Sequence, residues 1–368
     1  MKVLHVTNGA LTENKGGIES FIKNLCAYTS KLGVSDTVFS TAKKPVLREF
    51  EKFKIHEVQR HIKIASAAFS LSSNSKFKCL ADEHDIIHYH YPNPYGDLLH
   101  LICMVNKPSI VTYHSDIIRQ KKLLFLYKSI QTKFFNSVDQ IVATSPNYFA
   151  SSEILNDYSN KVSVIPIGLD KSSLEPLDNE RVKFWRERLP EKFFLFIGAM
   201  RYYKGLHILV KAAQGTTIPI VIAGGGFMEA KIKKLITKKN ITNIIMLGMI
   251  SEKDKVALLK ACIAFVFPSH LRSEAFGISL LEASIMGKPM ISCEIGSGTS
   301  YVNLHNETGL VIPPGSARSL RDAMEFLLKN PKVVSEMGDN AKKRSKEYFS
   351  LRRQACSYLE IYNNLVSK

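Results

Sequence analysis

Short β-branched apolar runs alternate along this chain with longer segments in which apolar residues recur every three or four positions. In the first half, residues 3–6, 37–40, 86–89, 110–113, 141–144 and 162–165 read as strands, separated by helix-like stretches such as 18–31 and 121–136. The second half repeats the pattern with strands at 193–197, 219–223, 244–247, 263–267, 289–293 and 310–312, and the chain closes on helix-like segments 317–329, 333–348 and 351–366. Such alternation builds a parallel sheet with helices on both faces, so the fold class is α/β. The polar, acidic stretch 171–180, which follows Pro166-Ile-Gly-Leu-Asp170, has no strand pattern and reads as a linker. Two tandem Rossmann-like domains are therefore expected, 1–168 and 169–350, without detectable repetition between them.

Composition leaves room for both domains. The chain has 368 residues, 45% hydrophobic and 23% charged, as an ordinary globular protein does. No apolar run approaches about 18 residues, and Met1-Lys-Val-Leu-His-Val-Thr-Asn8 is a short strand rather than a signal segment, so a cytoplasmic location is expected. The six cysteines show no Cys-x-x-Cys spacing, which points to buried thiols and to neither a disulfide framework nor a metal site.

The formal charge of +17 calls for a polyanionic partner. Nucleic acid is not expected, because no helix-turn-helix, zinc-finger or RNP-like motif accompanies the charge. An anionic membrane surface fits better. Residues 117–128 set Arg119, Lys121, Lys122 and Lys128 beside an apolar face, and 61–80 mixes Lys63, Lys76 and Lys78 with Ile62, Ile64 and Phe69. Ordinary amphipathic surface helices have the same pattern.

The chemistry concentrates in Arg272-Ser-Glu-Ala-Phe-Gly-Ile-Ser-Leu-Leu-Glu282. Gly277 follows a strand-like run and separates two acids, so Glu274 is expected on a loop and Glu282 on the helix that begins there. Two carboxylates in that arrangement suit a ligand bearing two vicinal diols about one diphosphate apart, as a nucleotide sugar does, since each accepts two hydrogen bonds from a diol. An acidic helix start that complements the helix dipole would need the same residues. Upstream, the apolar strand from Phe193 runs into a turn carrying Arg201, Lys204 and Gly205. Downstream, Glu294-Ile-Gly-Ser-Gly-Thr-Ser300 offers backbone N–H groups that could cradle phosphate oxygens. The glycine-rich start, residues 9–17, lacks the Gly-x-Gly-x-x-Gly spacing of a dinucleotide fingerprint.

In this order the motifs resemble the GT4 family of retaining glycosyltransferases, which have the GT-B fold and a Glu-x7-Glu signature. The likeness runs from Gly16-Gly17 to Gly309-Leu-Val-Ile-Pro-Pro314. Within the family the chain is similar to bacterial O-polysaccharide mannosyltransferases, through Tyr113-His-Ser-Asp116, Arg201-Tyr-Tyr-Lys-Gly-Leu-His207 and Pro268-Ser-His-Leu-Arg-Ser-Glu-Ala-Phe-Gly277. The resemblance implies two domains facing a central cleft, with the final helix, 351–368, returning to the first. It implies transfer of a hexose, α-mannose from GDP-mannose or alternatively a hexose from a UDP-sugar, to an undecaprenyl-diphosphate-linked glycan at the inner membrane face.

The resemblance also assigns roles. Glu274 would contact the donor sugar, backbone N–H groups around Phe276, Gly277 and Ile278 the phosphates, and Glu282 the ribose. Gly16 and Gly17 would approach the donor from the other domain, and His114, at a strand end, would lie beside the transferred sugar. The chain contains no Asp-x-Asp, so Arg201 and Lys204 would meet the leaving diphosphate in place of a metal, and no cofactor is expected. Family members usually carry Arg directly after the strand-ending glycine, where this chain has Ala199; Arg201 is taken as the equivalent. His5, His88, His90, His100 and His207 read as structural. A non-catalytic basic binding protein of the same fold is the competing class, and it would release no nucleoside diphosphate.

Overall fold

A computed structural model of the chain describes all residues except 14–15, 51, 65–66, 118–120 and 368, and the side chains of 121–124 and 126. The chain divides into two compact units, Met1–Gly168 with the C-terminal segment from Leu351, and Leu169–Ser350.

The first unit contains β1 (Lys2–Val6), α1 (Gly17–Thr29), β2 (Ser35–Ala42), β3 (Val46–Phe50), β4 (Phe53–Gln59), β5 (Ile62–Ile64), β6 (Ala67–Phe69), α2 (Asn74–Glu83), β7 (Ile86–Tyr91), α3 (Pro94–Ile102), β8 (Ser109–Tyr113), α4 (Lys121–Ser137), β9 (Gln140–Ala143), α5 (Pro146–Ser151), α6 (Glu153–Asp157) and β10 (Val162–Val164). Eight strands form one sheet in the order β10-β9-β8-β7-β1-β2-β4-β3, parallel except for β3 at the edge. The strand order reverses between β1 and β7, which in open α/β sheets marks where ligands bind beyond the strand ends. All of β7 is buried, as expected of a central strand covered on both faces.

Two local readings are corrected. β3 and β4 were not among the expected strands, although β4 alternates buried and exposed positions over Phe53-Lys-Ile-His-Glu-Val58. Residues 61–80 do not form one amphipathic helix: the alternation Ile62-Lys63-Ile64 makes β5 of an antiparallel hairpin with β6, and helix starts only at Asn74.

The second unit contains α7 (Asn179–Arg188), β11 (Phe194–Ile197), α8 (Leu206–Ala213), β12 (Ile220–Ala223), α9 (Glu229–Lys238), β13 (Ile244–Gly248), α10 (Glu252–Ala261), β14 (Ala264–Phe267), α11 (Ile278–Ile285), β15 (Met290–Cys293), α12 (Thr299–Val302), β16 (Gly309–Ile312), α13 (Ala317–Lys329) and α14 (Pro331–Tyr348). Its sheet is wholly parallel, in the order β13-β12-β11-β14-β15-β16, with the reversal between β11 and β14. The expected linker is only partly structureless, since Asp178 caps α7 by accepting the Arg181 N–H at 3.1 Å.

The last helix, α15 (Leu351–Val366), buries Leu351, Ala355, Tyr358, Tyr362 and Leu365 along one stripe. It is fastened to the first unit by polar contacts as well. Tyr358 Oη lies 2.7 Å from Thr112 Oγ1, Tyr362 Oη lies 2.6 Å from His88 Nδ1, and the Gly168 N–H donates to Gln354 Oε1 at 2.7 Å.

Between β11 and α8 the chain turns through Gly205, whose φ of +72° is left-handed. A Cβ there would stand 1.9 Å from the Pro268 carbonyl oxygen, which belongs to the backbone following β14. Gly205→Ala therefore combines an unfavourable backbone conformation with a backbone clash, and should destabilise the second unit by about 2 kcal/mol or more. A urea midpoint unchanged from the wild type would contradict this.

Candidate functional site

Both sides of the strand-order reversal in the second unit end in polar loops. After β11 the chain passes Arg201 and enters a 3₁₀ turn, Tyr202–Lys204. After β14 it runs through Ser269, His270 and Glu274 to Gly277, the N-cap of α11, where φ is +87°. Glu274 thus lies on the loop and Glu282 on the helix, as the placement of Gly277 predicted. The two loops are tied together by the His270 N–H, which donates to the Tyr203 carbonyl at 2.9 Å.

Lys204 and Glu274 meet across this junction. Lys204 Nζ is 2.5 Å from Glu274 Oε2, and the side chains are only 11% and 10% exposed. Ser269 Oγ–H donates to the same carboxylate oxygen at 3.1 Å, and the ammonium also lies over the Phe267 ring, 4.5 Å from its centroid. Removing one partner of a pair this enclosed leaves an uncompensated charge, at a cost on the order of 3–5 kcal/mol. The pairing was not foreseen in the sequence, where Lys204 was grouped with Arg201. Arg201 instead is exposed and pairs with no acid among the described residues.

Glu282 has a cationic partner of its own. Lys255 Nζ, from α10, lies 2.6 Å from Glu282 Oε1 and 2.5 Å from Glu252 Oε2. Burial pushes the Glu282 carboxyl up, opposed chiefly by Lys255 and in smaller part by Lys204, so both lysines bear on this acid. Burial would lower the Lys255 ammonium, but the two carboxylates outweigh it and hold it above its ordinary value. Sequence reasoning missed Lys255; in Ser251-Glu-Lys-Asp-Lys255 it looks like any charged first helical turn.

Phe276 is buried, and its ring meets Phe349 edge-on at 6.1 Å. The backbone N–H groups of Phe276, Gly277 and Ile278 donate to no protein acceptor among the described residues, so they and the start of α11 offer donors and partial positive charge. The glycine-rich segment 294–300 is different. The Gly296 N–H donates to Glu294 Oε1 at 2.9 Å and the Gly298 N–H to the Ala275 carbonyl at 2.8 Å, so these donors brace the site from within instead of facing a phosphate. Arg272 Nη1 donates to the Gly296 carbonyl at 2.8 Å and ties the same segment to the Glu274 loop.

In the first unit, Gly16 is the N-cap of α1 and Gly17 its first residue. Phe21, one turn on, sets its ring perpendicular to His114, with centroids 4.9 Å apart. His114 directly follows β8, and its N–H donates to the Tyr91 carbonyl at 2.9 Å. Burial pushes its imidazole down to about 3, so it is neutral at physiological pH. The rest of the motif holds the loop: Tyr113 Oη–H and Ser152 Oγ–H both donate to Asp116 Oδ1, at 2.7 and 3.0 Å.

Known proteins share this organisation. Residues 15–173 match the family described as Glycosyltransferase Family 4, and 178–344 the Glycosyl transferases group 1. The D-rhamnosyltransferase WbpZ of Pseudomonas aeruginosa is 48% identical over 352 residues, covering 95% of this chain and 92% of that protein. The O-antigen chain mannosyltransferase C of Escherichia coli is 42% identical over 368 residues, covering 100% and 99%. Among solved structures, sucrose-phosphate synthase from Thermosynechococcus elongatus superposes with a TM-score of 0.83 at 19% identity, over 100% of this chain and 99% of that one. Anabaena HepE in complex with UDP does so with 0.79 at 18%, over 99% and 100%. The structural likenesses establish the GT-B fold, and with full-length relatives above 40% identity the chain belongs to the GT4 family of glycosyltransferases and is an enzyme of that class.

Proposed function

We propose that this enzyme is a retaining, metal-independent α-mannosyltransferase that uses GDP-mannose to extend an undecaprenyl-diphosphate-linked glycan in O-antigen assembly. The observation that carries the reading is the pair of acids at the strand-order reversal: Glu274 on its loop against Lys204, and Glu282 on α11 against Lys255, with unengaged backbone N–H groups between them. The names of the two relatives, a D-rhamnosyltransferase and an O-antigen chain mannosyltransferase, support a mannose-type donor and a role in O-antigen assembly. In this reading Glu274 receives hydroxyls of the donor hexose, Glu282 the ribose diol, and the α11 N-terminus the diphosphate. Lys204, with Arg201 beside it in the chain, balances the charge that develops on the leaving group. His114, Gly16 and Gly17 serve the same reaction from the first unit.

D-rhamnose is 6-deoxy-D-mannose, and the 48% identical relative makes a D-rhamnosyl donor the second reading. A UDP-hexose is the third, because a likeness of fold does not fix the base. A donor screen with GDP-mannose, GDP-D-rhamnose and UDP-glucose, run on a synthetic lipid-linked acceptor in EDTA, tests the whole proposal. GDP-mannose should give the fastest release of nucleoside diphosphate and an α-linked product by NMR. Faster turnover with another donor replaces the sugar assignment, and turnover that requires added magnesium or manganese rules out the cationic substitute for a metal.

Glu274→Gln should reduce kcat and Glu282→Gln should raise the donor KM, because the acids meet different parts of one ligand. Each change loses a charge-assisted hydrogen bond worth on the order of 2–3 kcal/mol, about 30- to 150-fold in the affected constant. Steady-state kinetics that leave both variants near normal would remove both residues from the site.

Docking on anionic lipid is part of the same proposal. No helix among the described residues is long and apolar enough to cross a membrane. On α4, Phe125 is 81% exposed and Lys128 is exposed too, which suits a surface contact. Arg119 lies outside the described residues, as do the side chains of Lys121 and Lys122. Each basic residue near an anionic surface contributes about 1 kcal/mol, so changing Arg119, Lys121, Lys122 and Lys128 together to Glu should release the protein from phosphatidylglycerol vesicles, as raised salt should. Equal sedimentation of variant and wild type would leave α4 as a solvated helix.

A further inference from the structure

Buried polar groups need partners, and in the centre of the first unit they form a continuous row. Three strands and the residue that follows a fourth contribute. Asp36 lies on β2, His5 on β1, His88 and His90 on one face of β7, and His114 directly follows β8. Asp36 Oδ1 is 3.1 Å from His5 Nε2, His5 Nδ1 is 3.0 Å from His90 Nε2, and His90 Nδ1 is 3.1 Å from His114 Nε2. The ring centroids of His5 and His90 are 5.3 Å apart at an interplanar angle of 18°, and those of His90 and His114 5.4 Å apart at 21°. Rings so nearly coplanar at that spacing lie edge to edge, which is the arrangement that an N–H···N bond between imidazoles requires.

The row has a direction. A neutral imidazole carries one donor and one acceptor nitrogen, and an ionised carboxylate only accepts. Asp36 therefore accepts the hydrogen bond of His5 Nε2–H, leaving His5 Nδ1 to accept from His90 Nε2–H, and His90 Nδ1 to accept from His114 Nε2–H. Burial holds both the His90 and His114 imidazoles down, the latter at about 3, which keeps these two rings neutral. The far carboxylate oxygen, Asp36 Oδ2, accepts from Thr29 Oγ1 at 2.6 Å. His88 stacks on His90 at 4.4 Å and bonds at both nitrogens to the hydroxyls of Tyr362 and Thr112. His5, His88 and His90 lie close enough together to share a metal ion, but every one of their ring nitrogens already has a hydrogen-bond partner.

At the open end, His114 Nδ1 meets no protein group among the described residues. It is not among the fully enclosed unpaired polar atoms either, so it belongs to the 7% of the residue that reaches the surface. We infer that Asp36, His5 and His90 are positioning residues that lock His114 with Nε2 protonated and Nδ1 bare, so that it meets its ligand only as a hydrogen-bond acceptor. The ligand group that fits is a hydroxyl donor, such as a sugar O–H. The identity of that ligand rests on the reading of His114 as the residue beside the transferred sugar; the tautomer itself does not.

Long-range ¹H–¹⁵N correlation on [¹⁵N]histidine-labelled protein at pH 8, where ordinary histidines are neutral, reads the tautomer directly. The His114 signals are assigned by their loss in His114→Gln. The wild type should show Nε2–H with bare Nδ1, and an Nδ1–H tautomer overturns the inference. Asp36→Asn, whose amide can donate as well as accept, and His5→Phe, which cuts the row, should each populate the second tautomer at His114. They should also lower kcat about tenfold while the donor KM changes less than about twofold. A fall in turnover with the tautomer unchanged in both variants makes the row merely structural and also overturns the inference. If either variant fails to fold, the wild-type spectrum and the other variant still decide. Normal turnover in His114→Gln would instead defeat the catalytic reading of His114, whatever its tautomer.

Discussion

A nearly enclosed ammonium and carboxylate 2.5 Å apart, Lys204 and Glu274, join the two loops that leave β11 and β14. Much of the candidate site follows from that contact. The pair can form only because Gly205 takes a left-handed turn that lets the backbone pass against Pro268, and because Gly277 ends the second loop and starts α11. The Ser269 hydroxyl and the Phe267 ring complete the enclosure. Glu282 repeats the arrangement with Lys255, so each of the two acids is paired with a lysine from a different element. On the proposed reading of the site, incoming hydroxyls and phosphates would meet compensated charges in fixed geometry rather than mobile side chains.

The first unit solves the opposite problem. Its central strands bury histidines away from water, where an unpartnered polar group would be costly. Each ring nitrogen of His5, His88 and His90 is instead answered by another imidazole, a hydroxyl or Asp36. Part of that satisfaction comes from α15, whose Tyr362 and Tyr358 reach His88 and Thr112. The C-terminal helix thus does more than cover apolar surface. It closes the hydrogen-bond network of the strands that lead to His114.

Much of the architecture was legible in the chain. Buried parallel strands tend to be apolar and the helices between them carry apolar stripes, so both patterns recur in sequences that fold this way; β11 and α15 are examples. Gly277 located the change from loop to helix because few other residues adopt its backbone angles. Less visible were β3, β4 and the β5–β6 hairpin, where half-exposed strands carry lysines and glutamate and resemble a solvated surface.

Partnership was beyond the sequence. Lys204, expected to meet a diphosphate, became the partner of Glu274; Lys255, which the sequence did not single out, became the partner of Glu282; and the histidines read as structural became the row ending at His114. The sequence by itself determined the α/β class, the family and the positions of the two acids, because these depend on local periodicity and on spacing within one segment. Only the tertiary structure decided which charge meets which and which nitrogen of His114 meets His90, because those contacts join residues on different strands and helices, as far apart in the chain as His5 and His90, and are fixed by sheet order and register.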